Sequence, residues 1–338
     1  MILIEEDKRL DAVAAYLLLH RGQTCTGGEI SRAIGITRAM VWKYIHKFMQ
    51  LPEWQIEASE RSGYRLIHAP DELNPVLIRQ MIDVGFRVPI LHLERIGSTN
   101  DELRKMALQG AQDGTLLMAE EQTAGRGRFQ RRWISPYRQN IYLSILLRSI
   151  QWVRDIPRIS MLFALAVCRV LQRADVGNVQ IKWPNDIFLN GRKCAGILCD
   201  IGATVEQIDY LIAGIGINVN IPIFPAEIEK QATSLKRESG KDVDRATLVA
   251  DVYNEIYGLI GQYKQKGDFD ALHREYCQNC FVIGQHVQIQ NANFAYYGWV
   301  EQIDQSGILF LCQKDGTKKK FLSGDVSLRI AEAGKEKP

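Results

Sequence analysis

The hydrophobic periodicity of this 338-residue chain changes twice along its length, and each change constrains the fold of the segment around it. Apolar residues recur at helical spacing near the N-terminus, helical and strand-like patterns alternate in the middle, and short apolar runs separated by Gly and Asp occupy the C-terminal part. The length allows two or three domains with their own cores. We predict domains at residues 1–69, 90–280 and 281–331, a linker at 70–89 and a tail at 332–338.

The N-terminal segment predicts two helices joined by a tight turn. It reads as a short helix, a turn at Gly35 and a second helix capped by Thr37. This order is typical of the helix-turn-helix motif. Residues 54–58 and 64–67 follow as two short strands, and the hairpin they form completes a winged helix.

Local charge favours binding of this segment to DNA. The net charge of the whole chain is only +3, but between Glu29 and Glu53 there is no acidic residue. A basic face neutralises phosphates, and the second helix of the motif enters the major groove. The predicted DNA contacts are Arg32, Thr37, Arg38, Lys43, Lys47 and Arg61. The alternative is a winged helix that binds another protein and leaves these side chains solvated.

The central segment predicts an α+β domain with helices on one face of a largely antiparallel sheet. Residues 141–147 read as a strand that is apolar on both faces, and residues 159–174 as an apolar helix. Asn190-Gly191 between two apolar runs is a strong hairpin signal. In the C-terminal segment we predict four short strands, which indicate a small barrel: residues 287–290, 297–303, 308–312 and 319–322.

A stretch without Asp or Glu, residues 122–154, contains the loop Gly125-Arg126-Gly127-Arg128. Glycine lets the backbone approach a ligand, and arginine forks suit phosphate and carboxylate. An Arg-Gly segment that binds nucleic acid is the alternative. The position between two predicted strands, with Trp133 directly after the loop, favours a small anionic ligand.

Three further motifs lie C-terminal to this loop. The first is Lys182-Trp183-Pro184-Asn185-Asp186, whose Asn and Asp can cap backbone groups or bind ribose or a metal. Lys193 begins a buried strand and can neutralise a carboxylate and a phosphate together. Gly214-x-Gly216-x-Asn218 ends an apolar strand, which indicates close approach of the backbone to a ligand.

Five motifs in this order resemble those of biotin–protein ligases: Ser98-Thr99-Asn100, Gln122-x-x-Gly125-Arg126-Gly127-Arg128-x-x-x-x-Trp133, Lys182-Trp183-Pro184-Asn185-Asp186, Arg192-Lys193-x-Ala195-Gly196-Ile197 and Gly214-x-Gly216-x-Asn218. The resemblance covers almost the whole chain. With its winged helix and a C-terminal SH3-like barrel, the chain is similar to the bifunctional bacterial form, a ligase that also represses the biotin operon. The resemblance implies a class II synthetase-like catalytic domain.

The resemblance also implies an activity and partners. Biotin and ATP would give biotinyl-5′-AMP and pyrophosphate, and a lysine of the biotin carboxyl carrier protein of acetyl-CoA carboxylase would then take the biotinyl group. Mg²⁺ would be bound mainly by the phosphates, with no metal site built by the protein. The adenylate-bound protein would be a homodimer that binds biotin operator DNA.

Site roles follow from the same resemblance. The residues expected in catalysis are Lys193, Arg126, Arg128 and Asp186. Those expected to bind biotin are Ser98, Thr99, Asn100, Gln122, Gly125, Arg126, Gly127, Arg128, Lys193 and Gly196. Those expected to bind the nucleotide are Arg128, Arg131, Trp133, Asn185, Asp186, Asn218 and Arg329. The sequence departs from the family pattern at Phe129-Gln130, where basic or small residues are more usual, and at Thr123.

Two other functions remain as alternatives, a lipoate–protein ligase and a ligand-sensing regulator without ligase activity. The intact Lys193 and arginine loop favour an enzyme. Seven irregularly spaced cysteines, with no signal peptide and no apolar run of membrane length, indicate a cytoplasmic protein without a disulfide framework or a membrane partner. His273, Cys277, Cys280 and His286 could bind zinc, but their spacing matches no standard zinc finger, which favours simple packing.

Overall fold

The computed structural model describes residues 3–52, 54–59, 62–69, 73–83, 88–148, 156–203, 208–266, 269–291, 294–322 and 325–328. The chain forms two compact units, Met1–Asp83 with Asp244–Ala250 and Val84–Val243 with Asp251–Pro338. The predicted DNA contact Arg61 and the predicted nucleotide contact Arg329 lie outside the described residues. No helix in the described part of the chain is long and apolar enough to cross a membrane.

The first unit packs helices against a small antiparallel sheet of order β1-β3-β2. Its elements are α1 (Leu3–Leu19), β1 (Thr24–Cys25), α2 (Gly27–Ile34), α3 (Arg38–Met49), β2 (Gln55–Ser59), β3 (Gly63–His68) and α4 (Pro75–Met81). Fully buried side chains such as Val13, Ile30, Val41 and Ile45 join the helices into one core.

Side-chain caps fix the ends of α2 and α3. Thr26 and Glu29 form a reciprocal capping box at the start of α2, and Gly35 ends that helix in the left-handed conformation with φ of 74°. The Thr37 hydroxyl accepts a hydrogen bond from Met40 N at 3.2 Å and starts α3. The predicted helix, Gly35 turn and Thr37-capped helix are therefore confirmed, as is the hairpin of β2 and β3.

The second unit contains a seven-stranded mixed sheet of order β4-β5-β6-β10-β9-β8-β7. The elements along the chain are β4 (Ile90–Ile96), α5 (Thr99–Leu108), β5 (Leu116–Gln122), a 3-10 turn (Arg128–Gln130), β6 (Ile141–Leu147), α6 (Ile156–Arg173), β7 (Val179–Lys182), β8 (Asp186–Leu189), β9 (Arg192–Ala203), β10 (Ile208–Ile217), α7 (Leu235–Ser239), α8 (Arg245–Lys266) and α9 (Asp270–Asn279). The residues of α8 up to Ala250 belong to the first unit. β4 and β5 are parallel and the other pairs are antiparallel. The predicted α+β class, the strand at β6 and the hairpin at Asn190-Gly191 are confirmed.

The helices of this unit lie on both faces of the sheet, so the prediction that they cover one face is wrong. Asn100 of α5 bonds Ser144 and Asp200 on one face, whereas Ser160 of α6 bonds Cys199, whose side chain points the opposite way. Helix α5 is short and covers only part of its face. The rest of that face is available to a ligand.

A second, five-stranded antiparallel sheet follows, with strand order β14-β13-β12-β11-β15. Its strands are β11 (His286–Asn291), β12 (Phe294–Ile303), β13 (Leu309–Cys312), β14 (Lys318–Phe321) and β15 (Asp325–Leu328). The four predicted strands are confirmed. β15 was not predicted, although Val326 and Leu328 alternate with polar residues along it. The turn between β12 and β13 contacts the turn between β7 and β8 of the seven-stranded sheet, since Trp183 Nε1 donates to Gly307 O at 3.0 Å.

Candidate active site

A cavity of about 600 Å³ lies against β6, β9 and β10 beside the start of α5. It brings together residues from all five sequence motifs. The predicted site residues that line it are Ser98, Thr99, Asn100, Gln122, Arg126, Gly127, Arg128, Arg131, Trp133, Asn185, Asp186, Lys193, Gly196 and Asn218. Gly125 lies behind the wall, where a Cβ atom would be 2.7 Å from Ser135 Oγ.

A buried polar network forms one end of the cavity. Gln122 Oε1 accepts hydrogen bonds from Thr99 N at 2.9 Å and from Thr99 Oγ1 at 3.1 Å. Ser144 Oγ donates to Asn100 Oδ1 at 2.6 Å, and Asn100 Nδ2 donates to Asp200 Oδ2 at 2.9 Å. These bonds fix the orientation of the amide groups. The network suits a neutral ligand head with both donors and acceptors.

Ser144 and Asp200 are members of this network that sequence reasoning missed. Ser144 is fully buried in β6. Tyr142 and Ser144 are the two residues of this strand that have a hydroxyl group. A lone Ser inside an otherwise apolar central strand is a signal that could have identified it, because a buried hydroxyl needs a partner. Asp200 gives no comparable signal, since its role depends on where α5 packs.

The Gly-Arg loop is a short hairpin. Trp133 N donates to Gly125 O at 2.9 Å, Gly127 N donates to Arg131 O at 2.8 Å, and Arg126 pairs with Arg132 as an isolated β-bridge. At the tip, Phe129 and Gln130 adopt positive φ values of 55° and 57°, which side chains other than glycine rarely adopt. This tip is where the sequence departs from the basic or small residues that the family resemblance predicts.

The two arginines of the Gly-Arg pair have different partners. Arg126 forms a bidentate ion pair with Asp101 of α5, with Nη1 2.6 Å from Oδ2. The hydrogen bond from Arg126 lowers the pKa of Asp101 below its usual range. Arg128 Nη1 lies 3.3 Å from Asn185 Oδ1 across the cavity. The loop therefore contacts both α5 and the Lys182–Asp186 motif.

The floor of the cavity is formed by two glycines and an indole ring. A Cβ atom on Gly216 would be 2.6 Å from Trp133 Cε2, and one on Gly196 would be 3.3 Å from Trp133 Cζ3. The indole therefore packs so closely on β10 that a side chain at position 216 would displace it, and it makes a tight contact with β9 at Gly196. The indole N–H of Trp133 is buried and makes no hydrogen bond within the described structure, so a ligand acceptor could satisfy it.

Lys193 stands between an acid and an aromatic ring. Its Nζ is 2.7 Å from Asp186 Oδ1 and 5.5 Å from the Trp133 ring centroid. Both contacts stabilise an ammonium group at the cavity wall. Asn218 also lines the wall, but its Nδ2 donates to Thr233 O at 3.1 Å and supports the segment that follows β10.

The cavity is electropositive. The cations among its described lining residues are Arg126, Arg128, Arg131, Arg132, Lys182, Lys193 and Lys230, whereas the described lining contains one acid, Asp186. Such a site attracts anions and offsets repulsion between two of them. The described residues contain no cluster of three or more His, Cys, Asp or Glu that could hold a metal ion.

A segment after β10 closes one side of the cavity and was not predicted. Phe224 and Ala232 line the cavity and pack with Ile221 and Ile228 in a small apolar cluster. The segment has no secondary-structure periodicity, so its ordering depends on this tertiary cluster.

The cysteine beside Lys193 does not have the lowered thiol pKa that is typical of a nucleophile. All seven cysteines are unpaired, and burial raises the pKa of the Cys194 thiol beside Lys193 far above its usual value. His273 Nε2 lies 2.9 Å from Ile303 O, a contact that joins α9 to β12 of the C-terminal sheet. The same nitrogen lies 3.4 Å from Cys277 Sγ within α9.

In the first unit, the predicted DNA contacts that lie within the described residues are exposed and mostly basic. Arg38, Lys43 and Lys47 are exposed on α3, and Thr37 caps that helix. Arg32 is exposed at the end of α2, where its Nε donates to Gly28 O at 3.3 Å.

Comparison with known proteins gives consistent matches. Residues 92–218 match the Biotin/lipoate A/B protein ligase family. The Bacillus spizizenii protein "Bifunctional ligase/repressor BirA" is 34% identical over 310 residues, which cover 90% of this chain and 93% of that relative. The Mycobacterium tuberculosis "Biotin--[acetyl-CoA-carboxylase] ligase" is 31% identical over 64% of this chain and 80% of its own length. The structure of the Aquifex aeolicus biotin protein ligase in complex with biotin and ATP is similar with a TM-score of 0.63 and 29% identity, covering 72% of this chain and 99% of that protein.

Proposed function

This chain belongs to the family of bifunctional biotin ligases and repressors, and from that premise we propose that the cavity activates biotin with ATP and serves biotinyl transfer. The observation that carries the proposal is the electropositive cavity. It joins a buried amide and hydroxyl network to Lys193 and the Gly-Arg hairpin. One end suits the neutral ureido head of biotin, and the cations suit its carboxylate and the phosphates of ATP.

In the first reaction step, a carboxylate oxygen of biotin bonds to the α-phosphorus of ATP, and the bond to pyrophosphate breaks. This step brings anions together, so fixed positive charge accelerates it. Lys193 and Arg128 are the cations we assign to that role, with Asp186 orienting the ammonium group of Lys193. In the second step, an acceptor lysine amine attacks the acyl carbon, loses a proton and releases AMP.

The same arrangement supports the proposed biotin and nucleotide contacts within the described residues, and the family resemblance adds Arg329. We assign Ser98, Thr99, Asn100 and Gln122 to the biotin head, with Gly125–Arg128 and Gly196 enclosing it. We assign Arg131, Trp133, Asn185, Asn218 and Arg329 to the nucleotide. Asp186 is the carboxylate on the described wall, which fits a Mg²⁺ ion that keeps most of its coordination on phosphate and water oxygens. When bound, the ion would neutralise phosphate charge.

One assay distinguishes biotin ligase activity from lipoate ligase activity. The purified chain is mixed with ATP, labelled biotin or labelled lipoate, and an acceptor domain for the acid that is supplied, which for biotin is a biotin carboxyl carrier domain. We expect pyrophosphate release and transfer of label when the acid is biotin, and neither when it is lipoate. Transfer of lipoate instead would assign the lipoate ligase reaction, and no pyrophosphate release with biotin would refute ligase activity.

We further propose that the chain represses transcription as a homodimer. The finer architecture we assign is a winged helix-turn-helix at residues 1–69 and an SH3-like barrel at 281–331. The exposed basic surface of α3 supports binding to operator DNA. Sedimentation with and without biotinyl-adenylate tests the dimer, and identical mass in both would contradict ligand-driven assembly. Binding to DNA upstream of biotin genes, with and without adenylate, tests repression.

A further inference from the structure

We propose that Asp101 is a positioning residue for the ligase reaction, because it anchors the Gly-Arg hairpin to α5 through Arg126. The proposal rests on the ligase function above. Both carboxylate oxygens of Asp101 contact the guanidinium fork of Arg126, with Oδ2 2.6 Å from Nη1. Bidentate pairs of this kind are directional as well as strong, so they fix an orientation.

The position of Arg126 in the hairpin makes this contact an anchor. Arg126 lies at the base of the hairpin, where it pairs with Arg132 on the returning strand. Holding Arg126 therefore holds both strands. Its side chain is 26% exposed and that of Asp101 is 34% exposed, so the ion pair is partly shielded from solvent.

The anchor is itself held by a chain of alternating charges. Arg104 Nη1 is 3.6 Å from Asp101 Oδ1, and its Nη2 is 2.9 Å from Asp200 Oδ2. Asp200 also accepts the hydrogen bond from Asn100 Nδ2. The hairpin is thus connected through one face of α5 to β9, beside the polar network at the end of the cavity.

This geometry changes the role of Arg126. The sequence assigned both loop arginines to the ligand, yet the charge of Arg126 is balanced by Asp101 within the protein. Arg128 instead reaches across the cavity to Asn185. We infer that Arg126 fixes the hairpin, whereas Arg128 and Lys193 meet the carboxylate and phosphate.

Tryptic cleavage can report on the conformation of the hairpin, because trypsin cleaves after arginine and the hairpin contains several arginines. Cleavage after Arg128, Arg131 and Arg132, measured by mass spectrometry in the absence of ligand, reports opening of the hairpin. Asp101→Asn should increase this cleavage about tenfold, which corresponds to about 1.4 kcal/mol. Glu102→Gln is the matched control, since Glu102 is adjacent on α5 but pairs with Lys105. The control should keep the parent rate.

A double-mutant cycle separates anchoring from direct ligand contact. Asp101→Asn and Arg126→Gln should each raise the KM for biotin and speed release of the adenylate, with a smaller effect on kcat. The double variant should be no worse than either single variant, because both remove the same ion pair. Arg126→Lys, which keeps charge but loses the fork, should be intermediate and remains informative if Asp101→Asn unfolds.

Two outcomes would overturn the proposal. One is equal cleavage of Asp101→Asn and Glu102→Gln. The other is a full additional loss from Arg126→Gln in the Asp101→Asn background, since that would mean Arg126 binds the ligand independently. The trypsin assay needs no substrate, so it tests the Asp101–Arg126 anchor independently of the ligase function. If the parent released no pyrophosphate, the ligase function would be refuted, and the cleavage rates would still decide whether Asp101 anchors the hairpin.

Discussion

The hydroxyl of Ser144, at the centre of β6, donates a 2.6 Å hydrogen bond to Oδ1 of Asn100 in the first turn of α5. Both side chains are buried, and the bond turns the amide so that its Nδ2 meets Asp200. The polar end of the cavity therefore depends on Ser144, a residue that does not belong to any of the five sequence motifs.

Replacing Ser144 tests this dependence. Ser144→Ala should lower the free energy of unfolding by about 1–3 kcal/mol, because Asn100 Oδ1 loses a buried donor. The KM for biotin should rise, since the amide is released from its orientation. Denaturant unfolding and initial rates measure the two effects. Ser239→Ala, whose hydroxyl contacts an exposed carbonyl, should change neither.

Replacing Arg128 tests retention of the adenylate. Arg128→Ala should leave the fold intact and accelerate loss of biotinyl-adenylate by about 10–100-fold, because a charge-assisted hydrogen bond is worth about 1.5–3 kcal/mol. Release of labelled adenylate into a trap provides the rate. Arg95→Ala, which removes an exposed ion pair with Glu121, is the control. Retention and transfer at the parent rates would show that Arg128 does not hold the adenylate in the cavity.

The glycine floor makes a steric prediction. Gly216→Ala would place a methyl group 2.6 Å from Trp133 Cε2, so the indole must move. We expect kcat/KM to fall by about a hundredfold, the effect of displacing a site group by about 1 Å. Gly261→Ala in α8 meets no atom within 4 Å and should instead stabilise the fold by about 1 kcal/mol. Wild-type kinetics in Gly216→Ala would contradict packing of Trp133 on β10.

The basic surface of α3 predicts a separation of functions. Arg38→Gln should weaken DNA binding and reduce the slope of log affinity against log salt by about 0.9, if the side chain neutralises one phosphate. Biotinylation should proceed at the parent rate. DNA binding across a salt series and a transfer assay measure the two properties, with Lys241→Gln as an exposed control. An unchanged salt slope would exclude Arg38 from the contact surface.

The Asp101–Arg126 pair predicts a pH dependence of stability. Arg126 lowers the pKa of Asp101, so the pair stabilises the fold above the unfolded pKa of about 3.9 and loses this effect as pH falls through the lower folded value. Asp101→Asn should therefore have a lower Tm than the parent at pH 7. The difference should shrink below about pH 4. A constant difference across this range would contradict the ionic origin of the effect.

Local sequence determined the elements and the motifs of this protein. Thr26, Gly35 and Thr37 act through contacts within a few residues, so the ends of α2 and α3 could be predicted. Apolar periodicity likewise located β6 and α6, and the ordered motifs identified most of the residues that line the cavity.

Tertiary structure decided what these residues contact. Ser144 and Asn100 are 44 positions apart, and Arg126 and Asp101 are 25 positions apart. Such contacts depend on strand order and register, which local periodicity does not specify. For the same reason, the packing of helices on both sheet faces and the closing segment around Phe224 could not be predicted. The sequence by itself predicted an arginine loop suited to an anion, whereas packing against α5 separated Arg126, which is paired within the protein, from Arg128, which reaches across the cavity.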